Sequence, residues 1–159
     1  LHPVAHSFPT RRSSDLFPGG EPLEDVITCA CDVLMPCAIE SVINPHNAER
    51  IQARLVVEGA NGPTMLAADP VLASREIQVV PDILANAGGV IVSYYEWVQN
   101  REGFYWEEAD VNERLHKKIT EAYARVTAEA AERKVSMRQA AYCIALEKII
   151  RAMHLRGSQ

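Results

Sequence analysis

The segment Leu55–Asp82 is the most informative about the fold of this chain, and it reads LVVEGANGPTMLAADPVLASREIQVVPD. Two short apolar runs, Leu55–Glu58 and Ile77–Val80, each stop at a glycine or a proline, as buried strands commonly do. The stretch between them, Met65–Arg75, has the length and spacing of a helix. A strand, a helix and a second strand of these lengths predict a crossover unit with two parallel strands.

The same pattern lies upstream of this segment. Asp32–Met35 is a third apolar run that ends at a proline, and the three runs recur about every 22 residues. Asn44 is a candidate N-cap with Pro45 at the first helical position. Apolar residues then follow at spacings of three and four, which predicts a crossover helix through Ala48, Ile51 and Leu55. The interpretation is a parallel βαβαβ sheet in an α/β protein.

Downstream of Asp82 the pattern is helical. One apolar stripe has spacings of three and four and comprises Val111, Leu115, Ile119, Ala122, Val126 and Ala130. Ser136 and Gln139 hold capping-box positions at the start of a last helix. That helix is apolar around much of its circumference, so we expect it to be buried against something outside this segment.

The turns that follow the strands lie along one edge of a parallel sheet, where open α/β sheets bind ligands. They contain Pro36-Cys37-Ala38, Gly59-Ala60-Asn61-Gly62-Pro63 and Pro81-Asp82. Small residues let a ligand approach the backbone, and the amide of Asn61 can both donate and accept hydrogen bonds. For any one of these turns alone, a simple chain reversal remains the favoured interpretation.

The segment Asn86-Ala87-Gly88-Gly89-Val90-Ile91-Val92-Ser93 is unusual for a helix, because each glycine costs roughly 1 kcal/mol relative to alanine. On a helix, Asn86, Gly89, Val90 and Ser93 would share one face. That face would suit a flat ligand with polar groups at its ends. Close packing of a neighbouring helix against the glycines explains the spacing equally well.

Composition excludes several classes of function. The chain has 159 residues, which suits one ordinary domain, and no apolar run approaches the ~20 residues of a membrane span. A net charge of -5 disfavours nucleic acid as a partner. The four cysteines form no Cys-x-x-Cys pair, so we expect no metal site. With no apolar signal peptide, we expect a reduced, cytoplasmic protein.

Residues 1–16 differ from the rest, since they are rich in proline, serine and arginine and show no periodicity. A transit peptide and a disordered tail are two interpretations. A third fits better: residues 6–16, HSFPTRRSSDL, match the conceptual translation of a common sequencing-library adapter. We therefore expect residues 1–16 to be a non-native tail and the natural upstream sequence to be missing.

Three stretches together carry a family resemblance. LVVEGANGPT at 55–64, VVPDILANAGGV at 79–90 and SYYEWVQN at 93–100 resemble the C-terminal part of glutamate dehydrogenase. The similarity covers about residues 17–157. Leucine and phenylalanine dehydrogenases share the Asn-Ala-Gly-Gly core, but the continuation at 96–100 is similar to the glutamate branch of this Glu/Leu/Phe/Val dehydrogenase family.

The resemblance implies the second half of a Rossmann-like doubly wound sheet at 17–105, as a partial dinucleotide-binding domain, followed by a C-terminal helical segment at 106–159. It implies that Cys37 and Ala38 lie near the adenosine end of NAD or NADP. It places Asn61 and Asn86 near the nicotinamide riboside. Val90 and Ser93 match positions that line the pocket for the glutamate side chain, with the Ser93 hydroxyl on the distal carboxylate.

The resemblance also implies what this segment lacks. The family performs the reversible oxidative deamination of L-glutamate to 2-oxoglutarate and ammonia, with a lysine and an aspartate supplied by an N-terminal substrate domain. This chain has no lysine before Lys117 and no G-x-G-x-x-G phosphate turn. We therefore expect no catalytic residue here, an inactive fragment, and a homohexamer only for the intact enzyme. The alternative function is a non-catalytic module that binds a small ligand or a partner helix.

Overall fold

The computed structural model describes residues 23–157 and contains a three-stranded parallel sheet in the order β1-β2-β3. The strands are β1 (Val33–Leu34), β2 (Leu55–Val57) and β3 (Gln78–Val80). Val56 at the centre of β2 pairs with β1 on one side and with β3 on the other. All three predicted strands and their parallel arrangement are confirmed, although each strand is one or two residues shorter than its apolar run.

Short helices fill the connections between the strands. Helix α1 (Leu23–Thr28) precedes the sheet and α2 (Pro45–Ala48) lies between β1 and β2. A 3₁₀ turn at Leu66–Ala68 leads into α3 (Asp69–Ser74) before β3. The predicted helix at 65–75 is therefore confirmed. Its first turn is 3₁₀ and follows Met65, whose side chain provides no capping hydrogen bond.

The predicted crossover helix between β1 and β2 is wrong in length. The Asn44 side chain accepts hydrogen bonds from the backbone N–H groups of His46 and Asn47, so the predicted cap is correct. The helix nevertheless ends after one turn, and Ile51 is buried beyond it. The physical reason is strand pairing: the backbone N–H of Leu55 must reach the carbonyl of Asp32 at 3.3 Å, which requires an extended approach to β2.

Four helices follow the last strand. They are α4 (Asp82–Ala85), α5 (Ala87–Glu102), α6 (Glu108–Arg133) and α7 (Met137–Leu155). The predicted capping box of α7 is present, because the Ser136 side chain accepts from the Gln139 backbone and the Gln139 side chain accepts from the Ser136 backbone. The boundary that we predicted at 105/106 falls in the loop between α5 and α6, and it stays a prediction.

Two apolar clusters hold the described residues together. The first lies between the sheet and the helices α1 to α3, and its fully buried members include Ile43, Ile51 and Val56. The second joins the C-terminal helices to α4 through Leu84, Val126 and three residues of α7, which are Ala140, Ala141 and Ile144. Because α7 also contacts β3, the helical segment is packed directly against the end of the sheet.

The outer part of α7 remains uncovered within residues 23–157. Its exposed apolar side chains are Tyr142, Leu146, Ile149, Ile150, Met153 and Leu155. The expectation that this helix is covered by something outside the segment stays a prediction. No helix in the described part of the chain is both long enough and apolar enough to cross a membrane.

Candidate functional site

A shallow cleft of about 470 Å³ lies at the carboxyl edge of the sheet. It is formed by the turns after β1 and β2 and is lined by Cys37, Ala38, Ile39, Glu40, Gly59, Ala60 and Asn61. The backbone N–H of Ala60 donates to the carbonyl of Pro36 at 2.8 Å, which holds the two turns side by side. Three of the predicted site residues, Cys37, Ala38 and Asn61, are therefore brought to one place.

The turns after β1 and β2 approach each other closely at Gly59 and Cys37. A Cβ atom at Gly59 would lie 2.6 Å from the Cys37 sulfur, well inside van der Waals contact. The glycine is thus needed for this sulfur position, and its backbone faces the cleft without a side chain. An exposed thiol, a methyl group and bare backbone make a surface against which a flat group can lie, and Glu40 adds a carboxylate to the lining.

Asn86 joins this cleft from the next element. Its side-chain Nδ2 donates to Oδ1 of Asn61 at 2.7 Å and more weakly to the carbonyl of Ala60 at 3.5 Å. The two asparagines that the resemblance pairs at the nicotinamide riboside are therefore in direct contact, although they are 25 positions apart. Their roles toward a cofactor stay a prediction.

The prediction that Asn86 sits on the same helix as the glycines is wrong. Asn86 has φ −98° and ψ 5°, and it separates α4 from α5. Its backbone N–H completes α4 by donating to the carbonyl of Asp82, while its side chain is held by the turn after β2. The helix therefore begins at Ala87, and Asn86 stands at its end instead of on its face.

The two glycines of α5 do not serve close packing within the described residues. A Cβ atom at Gly89 would meet nothing within 4 Å, and one at Gly88 would meet only a methyl carbon of Leu115 at 3.9 Å. The helix-packing explanation for their presence therefore finds no support among residues 23–157. The glycine face of α5 is open.

Val90 and Ser93 lie on that open face. Val90 is 70 % exposed, and Ser93 is also exposed. Ser93 follows Asn86 by about 10 Å of helix, at a rise of 1.5 Å per residue. Neither side chain lines the cleft at the sheet edge, so the two predicted parts of the site do not form one pocket within the described residues.

A buried ion-pair cluster behind this edge was not predicted from the sequence. Arg138, in the first turn of α7, donates to both carboxylate oxygens of Glu58 at 2.6 and 2.9 Å. It also donates to Asp69 at 2.9 Å and lies 3.5 Å from Asp82. Two sequence signals could have found it: an acid directly after an apolar strand, and an arginine at a helix start, where the macrodipole disfavours a cation.

The electrostatics of this cluster follow from its burial. Glu58 is fully buried and Arg138 is 9 % exposed, so each charge depends on the other. Burial alone would lower the pKa of Arg138, but its hydrogen bonds to Glu58 and Asp69 outweigh that effect and raise the pKa above its usual value. The guanidinium is therefore a permanent cation between three carboxylates.

Metal binding finds no support in the described part of the chain. No three or more histidine, cysteine, aspartate or glutamate side chains within it converge in a way that could hold an ion. The cysteines Cys29 and Cys37 are exposed, whereas Cys31 and Cys143 are half-buried.

The family model described as Glutamate/Leucine/Phenylalanine/Valine dehydrogenase matches residues 5–157, so the chain belongs to that family. The resemblance stated from the sequence is thereby confirmed. The matched range includes residues 6–16, which lie outside the described residues. Their adapter interpretation stays a prediction.

Individual relatives are glutamate dehydrogenases. The cryptic catabolic NAD-specific glutamate dehydrogenase of Bacillus subtilis is 46% identical over 134 residues, which are 84% of this chain and 31% of that protein. The crystal structure of glutamate dehydrogenase from Peptoniphilus asaccharolyticus is 48% identical with a TM-score of 0.76, over 80% of this chain and 32% of that one. The hetero-hexameric enzyme of Thermus thermophilus in its Leu-bound form is 32% identical with a TM-score of 0.82, over 85% and 32%.

These matches confirm the predicted α/β class, a Rossmann-like parallel sheet followed by C-terminal helices. They also show that the chain spans only about a third of the length of the relatives that it matches.

Proposed function

We propose that this chain is the part of an NAD(P)-dependent glutamate dehydrogenase that holds the nicotinamide side of the cofactor and the side chain of glutamate. The observation that carries the proposal is the contact between Asn61, which lines the cleft at the sheet edge, and Asn86, which directly precedes α5. The reaction is the reversible oxidative deamination of L-glutamate to 2-oxoglutarate and ammonia. The bound NAD or NADP supplies the hydride acceptor.

Each predicted site residue has its own role in this proposal. Cys37 and Ala38 offer a flat surface for the adenosine end, and Asn61 and Asn86 present amide groups to the nicotinamide riboside. Val90 gives an apolar wall for the methylene groups of glutamate, and the Ser93 hydroxyl donates to its distal carboxylate. The name of the Bacillus relative, NAD-specific, favours NAD as the first cofactor to test.

The chain by itself is inactive in this proposal. All four lysines, Lys117, Lys118, Lys134 and Lys148, are exposed and belong to α6, its C-cap or α7. They lack the desolvation that makes a lysine a general base. The proton-transfer groups belong to the intact enzyme, for which we propose the homohexamer. A cytoplasmic location stays a prediction from cysteine usage.

The alternative, a non-catalytic module that binds a partner, has one observation in its favour. Helix α5 exposes Val90, Tyr94 and Trp97, and a partner helix could cover them. Such a module would require no asparagine pair at the sheet edge, and it would not distinguish one amino acid from another.

The deciding experiment grafts this chain into the Bacillus relative in place of the 134 aligned residues. We expect the chimera to reduce NAD in the presence of glutamate, and the purified 159-residue chain to show no turnover. A folded, oligomeric chimera without glutamate-dependent activity would contradict the proposal. Turnover by the isolated chain would contradict the claim that it lacks the proton-transfer groups.

A further inference from the structure

Arg138 occupies an unfavourable position unless something holds it there. It is the second residue of α7, where the positive end of the helix macrodipole disfavours a cation, and it is 9 % exposed. Compensation comes from outside the helix, because the guanidinium is surrounded by three carboxylates from three other elements. Glu58 ends the β2 region, Asp69 begins α3, and Asp82 begins α4.

Two of these carboxylates also hold the backbone of the candidate site. The Glu58 oxygen that accepts from Arg138 Nη1 also accepts from the backbone N–H of Asp82 at 2.9 Å. The Asp82 side chain in turn accepts from the backbone N–H of Gly62 at 2.8 Å through Oδ2, whereas its Oδ1 faces Arg138. Gly62 directly follows Asn61, and α4 runs the four residues from Asp82 to the residue before Asn86.

Each asparagine of the pair is therefore connected to Arg138 by a short path. Asn61 is reached through Gly62 and Asp82, and Asn86 is reached through Asp82 and the single turn of α4. The cluster carries a net charge of −2 with Arg138, from three carboxylates and one guanidinium, and would carry −3 without it. Loss of the cation would leave the charge of Glu58 buried and uncompensated, and the Asp82 and Glu58 carboxylates would then repel each other.

We propose that Arg138 of helix α7 is a positioning residue for the site. It keeps the Asn61 and Asn86 side chains at hydrogen-bonding distance from each other. It touches neither asparagine and acts through Asp82 and Glu58. The expected effect of Arg138 on cofactor binding rests on the proposed function. Its effect on the Asn61–Asn86 contact can be measured without any enzyme activity.

The geometric test uses ¹H–¹⁵N spectra of the 159-residue chain. Arg138→Lys keeps the charge but loses the fork that binds both Glu58 oxygens. We expect the Gly62 amide proton to move upfield, because its bond to the Asp82 carboxylate weakens, and the contact between the Asn86 and Asn61 side-chain amides to be lost. Arg133→Lys is the matched control, since Arg133 pairs with Glu147 of α7 on the surface, away from the sheet.

A second variant covers the case in which Arg138→Lys does not fold. Glu58→Gln combined with Arg138→Met removes both buried charges together, which is often tolerated in protein interiors. The amide oxygen that Glu58→Gln introduces can still accept from the Asp82 N–H, so only the guanidinium is lost from Asp82. We expect the same loss of the asparagine contact. A folded protein of either variant with unchanged Gly62, Asn61 and Asn86 signals would overturn the proposal.

The kinetic test uses the chimera. Misplacement of the asparagine pair in Arg138→Lys should raise KM for NAD by about two- to tenfold, as expected for a weakened neutral hydrogen bond, and leave KM for glutamate nearly unchanged. A purely structural role would lower the amount of active enzyme, so kcat would fall with both KM values unchanged, and that result would overturn the proposal. Failure of the parent chimera to turn over would contradict the proposed function instead, and the spectra would still decide the role of Arg138.

Discussion

Asn86 and Asn61 meet side chain to side chain at 2.7 Å, across the gap between the start of α5 and the turn after β2. The bond uses one N–H of the Asn86 amide and the oxygen of the Asn61 amide, so the Asn61 N–H groups and the Asn86 oxygen are not consumed by it. The pair can therefore bind a ligand that has both a donor and an acceptor, such as a ribose or a carboxamide. This geometry is the basis of the first prediction.

Replacing Asn86 with alanine should weaken the binding of the cofactor more than the binding of glutamate. In the chimera, Asn86→Ala removes one proposed hydrogen bond to the cofactor, and a neutral hydrogen bond contributes about 0.5–1.5 kcal/mol. KM for NAD should rise about two- to tenfold, measured by steady-state kinetics with glutamate saturating. The matched control is Asn100→Ala near the end of α5, where the Asn100 side chain accepts from Tyr105. Equal effects of the two variants would contradict a role for Asn86 at the cofactor.

Ser93→Ala should discriminate against glutamate. The hydroxyl is proposed to donate to a charged carboxylate, and such bonds contribute about 1.5–3 kcal/mol, so kcat/KM for glutamate should fall roughly ten- to hundredfold. Activity with norvaline, which has no distal carboxylate, should change little. Ser74→Ala is the control, because the exposed Ser74 hydroxyl donates to the Val71 carbonyl within α3. Equal losses for both substrates would remove Ser93 from the carboxylate contact.

Gly59→Ala should displace the Cys37 sulfur. The added methyl would lie 2.6 Å from this atom but 3.4 Å from the Cys37 Cβ, so rotation of the exposed thiol relieves most of the overlap. We expect a loss of about 0.5–1.5 kcal/mol in the free energy of unfolding, which is the cost of an unfavourable rotamer. Cys37→Ala should restore most of it in the double variant, measured by urea denaturation. Additive effects of the two substitutions would show that the sulfur is not the atom in contact.

Cys31 should be the slower nucleophile at mildly alkaline pH. Burial raises the pKa of the Cys31 thiol, and the neighbouring Cys29 and Asp32 raise it further. A raised pKa means less thiolate at any pH below it, so alkylation by iodoacetamide at about pH 8 should be slower at Cys31 than at the exposed Cys37. The ratio of the alkylation rate at Cys37 to that at Cys31 should fall towards one as the pH rises. Peptide mass spectrometry measures both rates. A constant ratio would mean that access alone, and not ionisation, limits Cys31.

Local sequence patterns were sufficient to predict the strands, most of the helix starts and the order of the elements. Apolar runs closed by glycine or proline marked all three strands, and their spacing required parallel crossovers. Asn44 and Ser136 marked two helix starts correctly, because a cap depends on residues only three positions apart. The motifs around Asn61 and Asn86 identified the family, because each of them is a short run of adjacent residues.

Contacts between residues that are distant in the sequence could not be predicted from local patterns. Periodicity predicted a longer helix after Asn44, but pairing of Leu55 with its neighbouring strands ended it after one turn. Helical spacing placed Asn86 on the face of α5, but its bond to Asn61 placed it at the break between two helices. Arg138 and Glu58 are 80 positions apart, and no local pattern relates them. Their pairing depends on how α7 docks on the sheet, because a buried charge is stable only where the packed structure supplies its counter-charge.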